Sequence, residues 1–259
     1  MNGAGEGLRL PPTIGGLIGF ALRGWAANAP LYLALQLGVF AAYALAEIVV
    51  PAAVASSPQG QFKEWVLLFT GLFADAFVIA AVAMGIAARS AGAAASARAL
   101  AGVAVDRWLP VIAVSLLVQA VVLATSLSSG LGPPSEPRVL QLITAPFVWI
   151  LWGILGLAGP FVALAPNRRV FSVIAGFVHA FSTSLHRENL LRLCVLAVIT
   201  VSPTVLQTLL FHTLVAAHVS RSIFWSEVPI DVLTIGPLAA VQTAFALDFA
   251  HGADDQRSA

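Results

Sequence analysis

Residues 140–164 read LQLITAPFVWILWGILGLAGPFVAL and contain no charged side chain. A helix needs about 20 mostly apolar residues to cross about 30 Å of hydrocarbon, so this run predicts a membrane-spanning helix. Five other runs along the chain meet the same requirement. The six predicted spans are residues 30–51, 65–88, 108–125, 140–164, 190–217 and 232–250.

The composition indicates the same class of protein. Hydrophobic residues make up 59% of the chain and charged residues only 10%, against about 25% charged residues in soluble domains. The loops between the predicted spans are short, which leaves no room for a separate extramembrane domain. We therefore expect an all-α, polytopic membrane bundle of six transmembrane helices in three hairpins. Residues 14–251 are expected to form its single domain, between a flexible cytoplasmic tail at residues 1–13 and a cytoplasmic tail at residues 252–259.

The basic residues predict the orientation, because Lys and Arg near the ends of spans are retained on the cytoplasmic side. One side of the predicted bundle carries most of them. These are Arg9, Arg23, Arg89, Arg98, Arg107, Arg168, Arg169, Arg187, Arg192 and Arg257, whereas the other side holds Lys63, Arg138 and Arg221. Both termini are thus predicted to be cytoplasmic. The net charge of +1 argues against a nucleic-acid partner.

Amphipathic stretches precede two of the predicted spans and are expected to lie in the membrane interface. One face of the first holds Ile14, Leu17, Ile18, Ala21, Leu22 and Trp25, and one face of the second holds Phe171, Ile174, Ala175, Val178, Phe181 and Leu185. With an Ala-rich stretch at residues 93–106, they suggest a unit that occurs three times, marked by Gly19, Gly102 and Gly176. The alternative is that any Ala- and Gly-rich membrane protein aligns weakly with itself.

The order of these segments resembles a known group of membrane proteins. An interfacial helix and two spans are followed by an Ala-rich basic connector at residues 92–107, a Pro-marked fourth span ending at residues 161–166, and an amphipathic segment at residues 169–187. This layout is similar to the membrane domain attached to some glycerophosphoryl diester phosphodiesterases and to stand-alone bacterial proteins of the YciC type. The resemblance implies a helical protein of the bacterial cytoplasmic (inner) membrane. It implies no catalytic residues, because the phosphodiesterase active site belongs to a soluble domain that this sequence does not contain.

Asp75 is the strongest candidate for a functional residue, because a charge at the centre of a bilayer costs about 3 kcal/mol. It lies about ten residues into the second predicted span, near the midplane. Gln119 and Gln242 lie at similar depths in the third and sixth predicted spans and are expected to hydrogen-bond to Asp75 if those helices are neighbours. As a functional residue, Asp75 would relay a proton or a cation. Without a second acid at this depth, the simpler interpretation is a neutral, hydrogen-bonded packing residue.

Other ionisable residues give weaker signals. Glu47 and His212 both lie towards the non-cytoplasmic side and could form a pair, although each can also reach the headgroup region by itself. Arg168 and Arg169 are candidates for contacts with anionic lipid headgroups, or simply residues that set the orientation. The sequence shows no metal-ligand spacing, no nucleophile motif and no phosphate-binding loop, so we expect no metal, no cofactor and no catalytic residue.

Three functions are compatible with these features. The preferred one is a non-enzymatic accessory or scaffold protein whose interfacial helices organise membrane lipids or bind another membrane protein subunit. The second is a permease, or the membrane subunit of a transporter driven by a separate ATP-hydrolysing chain, which a polar path through Asp75, Gln119 and Gln242 would support. The third, an intramembrane enzyme acting on lipid, is disfavoured because the sequence shows no pair of catalytic residues.

Overall fold

The computed structural model describes residues 10–49, 58–130, 138–165, 171–186, 189–217 and 224–258, and the regular elements within these ranges are helical. They are α1 (Ile14–Ala26), α2 (Ala29–Val49), α3 (Pro58–Ser90), α4 (Ala97–Gly130), α5 (Arg138–Leu164), α6 (Phe171–Ser184), α7 (Leu190–Ala216) and α8 (Phe224–Ser258). The predicted all-α class is confirmed for this part of the chain.

Five of these helices are long and apolar enough to cross a membrane. The qualifying segments are Leu72–Ser90 in α3, Ala97–Val118 in α4, Pro146–Leu164 in α5, Leu190–Leu214 in α7 and Ile230–His251 in α8. They correspond to the second to sixth predicted spans. The first predicted span coincides with α2, in which the apolar stretch identified among the described residues is the shorter Ala29–Gly38.

Side chains satisfy backbone groups at several helix ends, among them the N-terminus of α1 and the C-terminus of α5. Thr13 accepts a hydrogen bond from the backbone N–H of Gly16 at 3.2 Å, so a hydroxyl caps the N-terminus of α1. Just beyond the last turn of α5, the carbonyl of Ala165 accepts a hydrogen bond from Arg107 Nη1 at 2.7 Å. This charged donor belongs to α4, so it both satisfies a helix-end carbonyl and ties α4 to α5.

Replacing Arg107 with methionine is expected to lower the free energy of unfolding by about 2 kcal/mol, because it removes a charge-assisted hydrogen bond to a helix-end carbonyl. The measurement is denaturant unfolding of the purified protein in detergent. Arg98→Met is the control, since Arg98 is exposed. Equal losses in the two variants would show that the hydrogen bond from Arg107 does not stabilise the fold.

Three helices form the centre of the bundle. α3, α5 and α8 each contact the other two, and buried small residues lie on all three. On α5, Gly153 allows α7 to approach so closely that an added Cβ would lie 3.0 Å from the Cα of Ala197. Close approach through small residues is the usual way in which membrane helices pack.

Around this centre, each of the three outer helices α2, α4 and α7 packs on two of the central helices. α2 packs on α3 and α8, α4 on α5 and α3, and α7 on α8 and α5. Each of the three amphipathic segments also contacts one central helix. α1 packs on α8, α6 packs on α5, and Leu100 in the first part of α4 lies near Gly85 of α3. Three parallel repeats would produce this arrangement, and the predicted repeat stays a prediction.

α1 lies lengthwise along α8 and antiparallel to it. Near one end, Trp25 contacts Gly236. Near the other end, Arg192 joins the carbonyl of Pro12 to the carboxylate of Asp248. These two points are about 18 Å apart along each helix at about 1.5 Å per residue, so α1 follows α8 instead of crossing it.

The buried face of α1 differs from the predicted face by part of a turn. Leu17 and Ala21 are buried, as the spacing predicts. Phe20 and Gly24 complete the buried face, whereas Leu22 is 40% exposed. The remaining predicted members are partly buried against the core: Ile14, Ile18 and Trp25.

Most of the predicted apolar face of α6 points away from the rest of the protein, although Phe181 is partly buried against the core. Ile174 and Val178 are each 62% exposed, and Leu185, directly after the helix, is 65% exposed. α6 packs on α5 through a different face, where a Cβ added at Gly176 would meet Val162. An apolar face turned away from the core is typical of a helix that lies against lipid.

Candidate functional site

Asp75 lies on α3 between two fully buried alanines, Ala74 and Ala76. Its Oδ1 atom is buried and has no hydrogen-bond partner. A buried carboxylate oxygen without a donor is costly, and a proton or a bound cation removes that cost. Asp75 is therefore the first element of a candidate binding site for a positive charge.

A second acid lies within electrostatic range of Asp75. Asp231, at the start of the apolar part of α8, is close enough for its carboxylate and that of Asp75 to repel each other. Gln207 donates from Nε2 to Asp231 Oδ1 at 2.5 Å. Gln36, which is 1% exposed, donates from Nε2 to the backbone carbonyl of Asp231 at 2.9 Å. We call Asp75 and Asp231 the acid pair.

The acid pair and its two glutamines come from four different helices. α8 contacts α2, α3 and α7, and α2 also contacts α3. The four residues are Gln36 on α2, Asp75 on α3, Gln207 on α7 and Asp231 on α8. Tertiary packing, not a local sequence motif, brings them together.

This arrangement can hold one positive charge. Two carboxylates that share a site of low polarity cannot both be ionised cheaply, because like charges repel. Each glutamine uses its Nε2 as a donor to Asp231, which leaves its Oε1 as the atom that can accept a hydrogen bond or coordinate a cation. Carboxylate and amide oxygens are ligands that hard cations prefer.

Of the predicted cluster of Asp75, Gln119 and Gln242, the structure assigns Gln242 to another contact. Gln242 is buried on α8, and its Nε2 is 3.4 Å from the hydroxyl of Thr200 on α7. The same nitrogen lies against Gly156 on α5. The side chain of Gln119 lies outside the described residues.

The predicted pair of Glu47 and His212 stays a prediction. His212 is exposed on α7, and the side chain of Glu47 lies outside the described residues. Arg168 and Arg169 also fall outside the described ranges. Their contacts with lipid headgroups remain predictions.

Asp231 was missed from the sequence because it lies directly before the predicted start of the sixth span at residue 232. The helix begins well before that point, at Phe224, and the apolar window begins at Ile230. An acid at the beginning of an apolar stretch is the signal that would have revealed Asp231. Gln36 gave a similar signal, since it is a polar residue within the first predicted span.

The described residues include no group of three His, Cys, Asp or Glu side chains that could hold a metal ion. Comparison of the chain with known protein families, with curated proteins and with solved structures finds no match. Function is therefore inferred from the acid pair and its surroundings.

Proposed function

We propose that this protein is a permease that couples transport to a proton or a monovalent cation held by the acid pair. The observation that carries the proposal is the buried, unpartnered Oδ1 of Asp75 beside a second acid, Asp231. Ionisable residues within membrane-spanning segments are rare and mark ion pathways and proton relays. Two like charges close together in surroundings of low polarity destabilise a protein unless one is neutralised, so a bound positive charge explains why both acids are tolerated.

The proposal includes α2 as a sixth span. α2 is a helix of 21 residues, long enough to cross the hydrocarbon, and it carries Gln36 of the site. With α2, the spans form three hairpins, α2 with α3, α4 with α5, and α7 with α8, and both termini lie in the cytoplasm. From the resemblance to stand-alone bacterial membrane proteins, we further propose that the membrane is the bacterial cytoplasmic membrane.

Asp75→Asn tests the acid pair directly, because it keeps the shape of the side chain and removes its capacity to bind a proton or a cation. The infrared absorption of protonated carboxyl groups is followed in lipid films of the purified protein while pH or sodium concentration is changed. We expect a carboxyl signal in the wild type that disappears when the proton leaves or a cation replaces it. Asp75→Asn and Asp231→Asn are each expected to lack this response.

Thr243→Val is the matched control for these variants. Thr243 is a polar residue of α8, as Asp231 is, but it is buried and its hydroxyl donates to the carbonyl of Ala239 in its own helix. The control is expected to keep the wild-type carboxyl response. An unchanged response in Asp75→Asn would exclude the acid pair as the binding site.

A second candidate function is the accessory or scaffold protein that organises lipid or binds another membrane protein subunit. The exposed apolar face of α6, formed by Ile174, Val178 and Leu185, supports it. A contiguous exposed apolar surface suits either lipid or a partner helix. This function needs no titrating acid.

Replacing Ile174 and Val178 together with serine tests the second candidate. The double variant is expected to retain less lipid or less partner protein after gentle purification, measured by mass spectrometry. Serines at Leu206 and Leu209 on α7 are the control, because these residues are also apolar and exposed. If both double variants retain the same material as the wild type, the face of α6 does not bind it specifically.

A further inference from the structure

Three hydrogen-bond donors of α1, α2 and α3 are buried without an acceptor. They are Trp25 Nε1, Arg89 Nε and Tyr32 Oη, whose oxygen can accept from the nearby Asn28 side chain but whose O–H has no acceptor, and we call them the donor trio. Unpartnered buried donors are costly and rare in folded proteins, and each calls for a partner. Three of them in neighbouring helices indicate a ligand that accepts hydrogen bonds.

Contacts between α1, α2 and α3 bring two members of the donor trio close together. Arg89 lies over the ring of Phe20 at 5.7 Å, and its Nε is 4.0 Å from the position of a Cβ at Gly24. The Oη of Tyr32 lies against Gly85, which is one helical turn before Arg89 on α3. Arg89 and the contact of Tyr32 therefore lie on the same side of α3, about one turn apart.

Trp25 adjoins this region from the side of α8. It follows Gly24 in the chain, and its Nε1 lies against Gly236. α8 contacts α1, α2 and α3, so the donor trio belongs to one packed group of four helices. Tyr32 is one turn before Gln36, whose amide donates to the backbone carbonyl of Asp231.

The chemistry of the donor trio selects an anion. The indole N–H and the guanidinium group only donate hydrogen bonds, and the guanidinium group is always charged. Among the described residues, no carboxylate forms an ion pair with Arg89. One cation with two neutral donors matches the oxygens of a carboxylate or a phosphate.

We propose that Trp25, Tyr32 and Arg89 form a binding site for an anionic oxygen group, a carboxylate or a phosphate. A small soluble anion or the headgroup of an anionic lipid can supply this group. The site stands on its own contacts and does not depend on the acid pair. Only the further interpretation that the anion is carried together with a cation rests on the proposed function.

Binding is tested with the full-length protein in nanodiscs of neutral phosphatidylcholine. Thermal unfolding is followed as inorganic phosphate or acetate is added, and separately in nanodiscs that contain phosphatidylglycerol. Stabilisation by the free anions supports a soluble ligand, and stabilisation by phosphatidylglycerol alone supports a lipid headgroup. Trp25→Phe and Tyr32→Phe are each expected to weaken binding of the anion that stabilises the wild type. The dissociation constant is expected to rise about tenfold in each variant.

Trp152→Phe is the matched control, because Trp152 Nε1 is also buried without a partner but lies on α5. It is expected to respond to the anion as the wild type does. Tyr32→Phe is also expected to unfold, without anion, at no lower temperature than the wild type, since it removes an unsatisfied donor. The proposal is overturned if neither source stabilises the wild type, or if Trp152→Phe loses as much affinity as the donor-trio variants.

Discussion

Replacing Arg192 with methionine is expected to lower the free energy of unfolding by about 3 kcal/mol, because one change removes two contacts that join separate parts of the chain. Arg192 Nη1 lies 2.5 Å from a carboxylate oxygen of Asp248, and Arg192 Nη2 donates to the carbonyl of Pro12 at 2.9 Å. The side chains are 28% and 13% exposed, so the charge left on Asp248 is only partly hydrated. Unfolding of the purified protein in denaturant measures the effect.

A double-mutant cycle separates the ion pair from the other effects of the substitution. Asp248→Leu alone is expected to destabilise the protein as well, since it leaves the guanidinium group without its carboxylate. Combining it with Arg192→Met is expected to cost less than the sum of the two single changes, because the second change then removes no ion pair. Strict additivity would show that the pair contributes nothing.

Gly153→Val is expected to destabilise the protein by about 3 kcal/mol through overpacking between α5 and α7. Any Cβ at this position would lie 3.0 Å from the Cα and 3.1 Å from the backbone nitrogen of Ala197. Backbone atoms cannot rotate away as a side chain can, so α5 and α7 would have to separate. Because α7 also carries Gln207, we expect the carboxyl response of the acid pair to change in the same variant.

Gly102→Val on α4 is the control for this effect, because a Cβ at Gly102 would meet no atom within 4 Å. It shares the loss of glycine and the gain of a branched side chain but not the close contact. We expect its free energy of unfolding to stay near that of the wild type. Similar destabilisation of both variants would mean that helix propensity, not close packing, accounts for the loss.

The existence of the helices was predictable because lipid leaves the backbone few ways to satisfy its hydrogen bonds, so a long apolar run must be helical. α7 begins at Leu190, where the fifth span was predicted to begin. Helix ends were less predictable. α3 begins at Pro58 and α4 at Ala97, well before the predicted spans at residues 65 and 108, because hydropathy reports the thickness of the hydrocarbon and not the length of the helix.

Part of the site was also predictable. Asp75 is recognisable as an acid within an apolar run, but its neighbours depend on which helices pack together and how each is rotated. Gln242 was placed at a suitable depth, yet its side chain reaches Thr200 on α7. Asp231 joins Asp75 through the contact between α3 and α8, which no local pattern announces.

The pairing of α1 with α8 has a consequence for the order in which the protein is made. Leu17 and Phe20 of α1 share one buried core with Phe245 and Phe249 of α8, at the opposite end of the chain. The ribosome synthesises α1 before α8, so the partner surface of α1 does not exist until α8 has been inserted. We expect α1 of the newborn chain to lie at the lipid–water boundary and to reach its packed position only when α8 arrives, a long-range and therefore slow step.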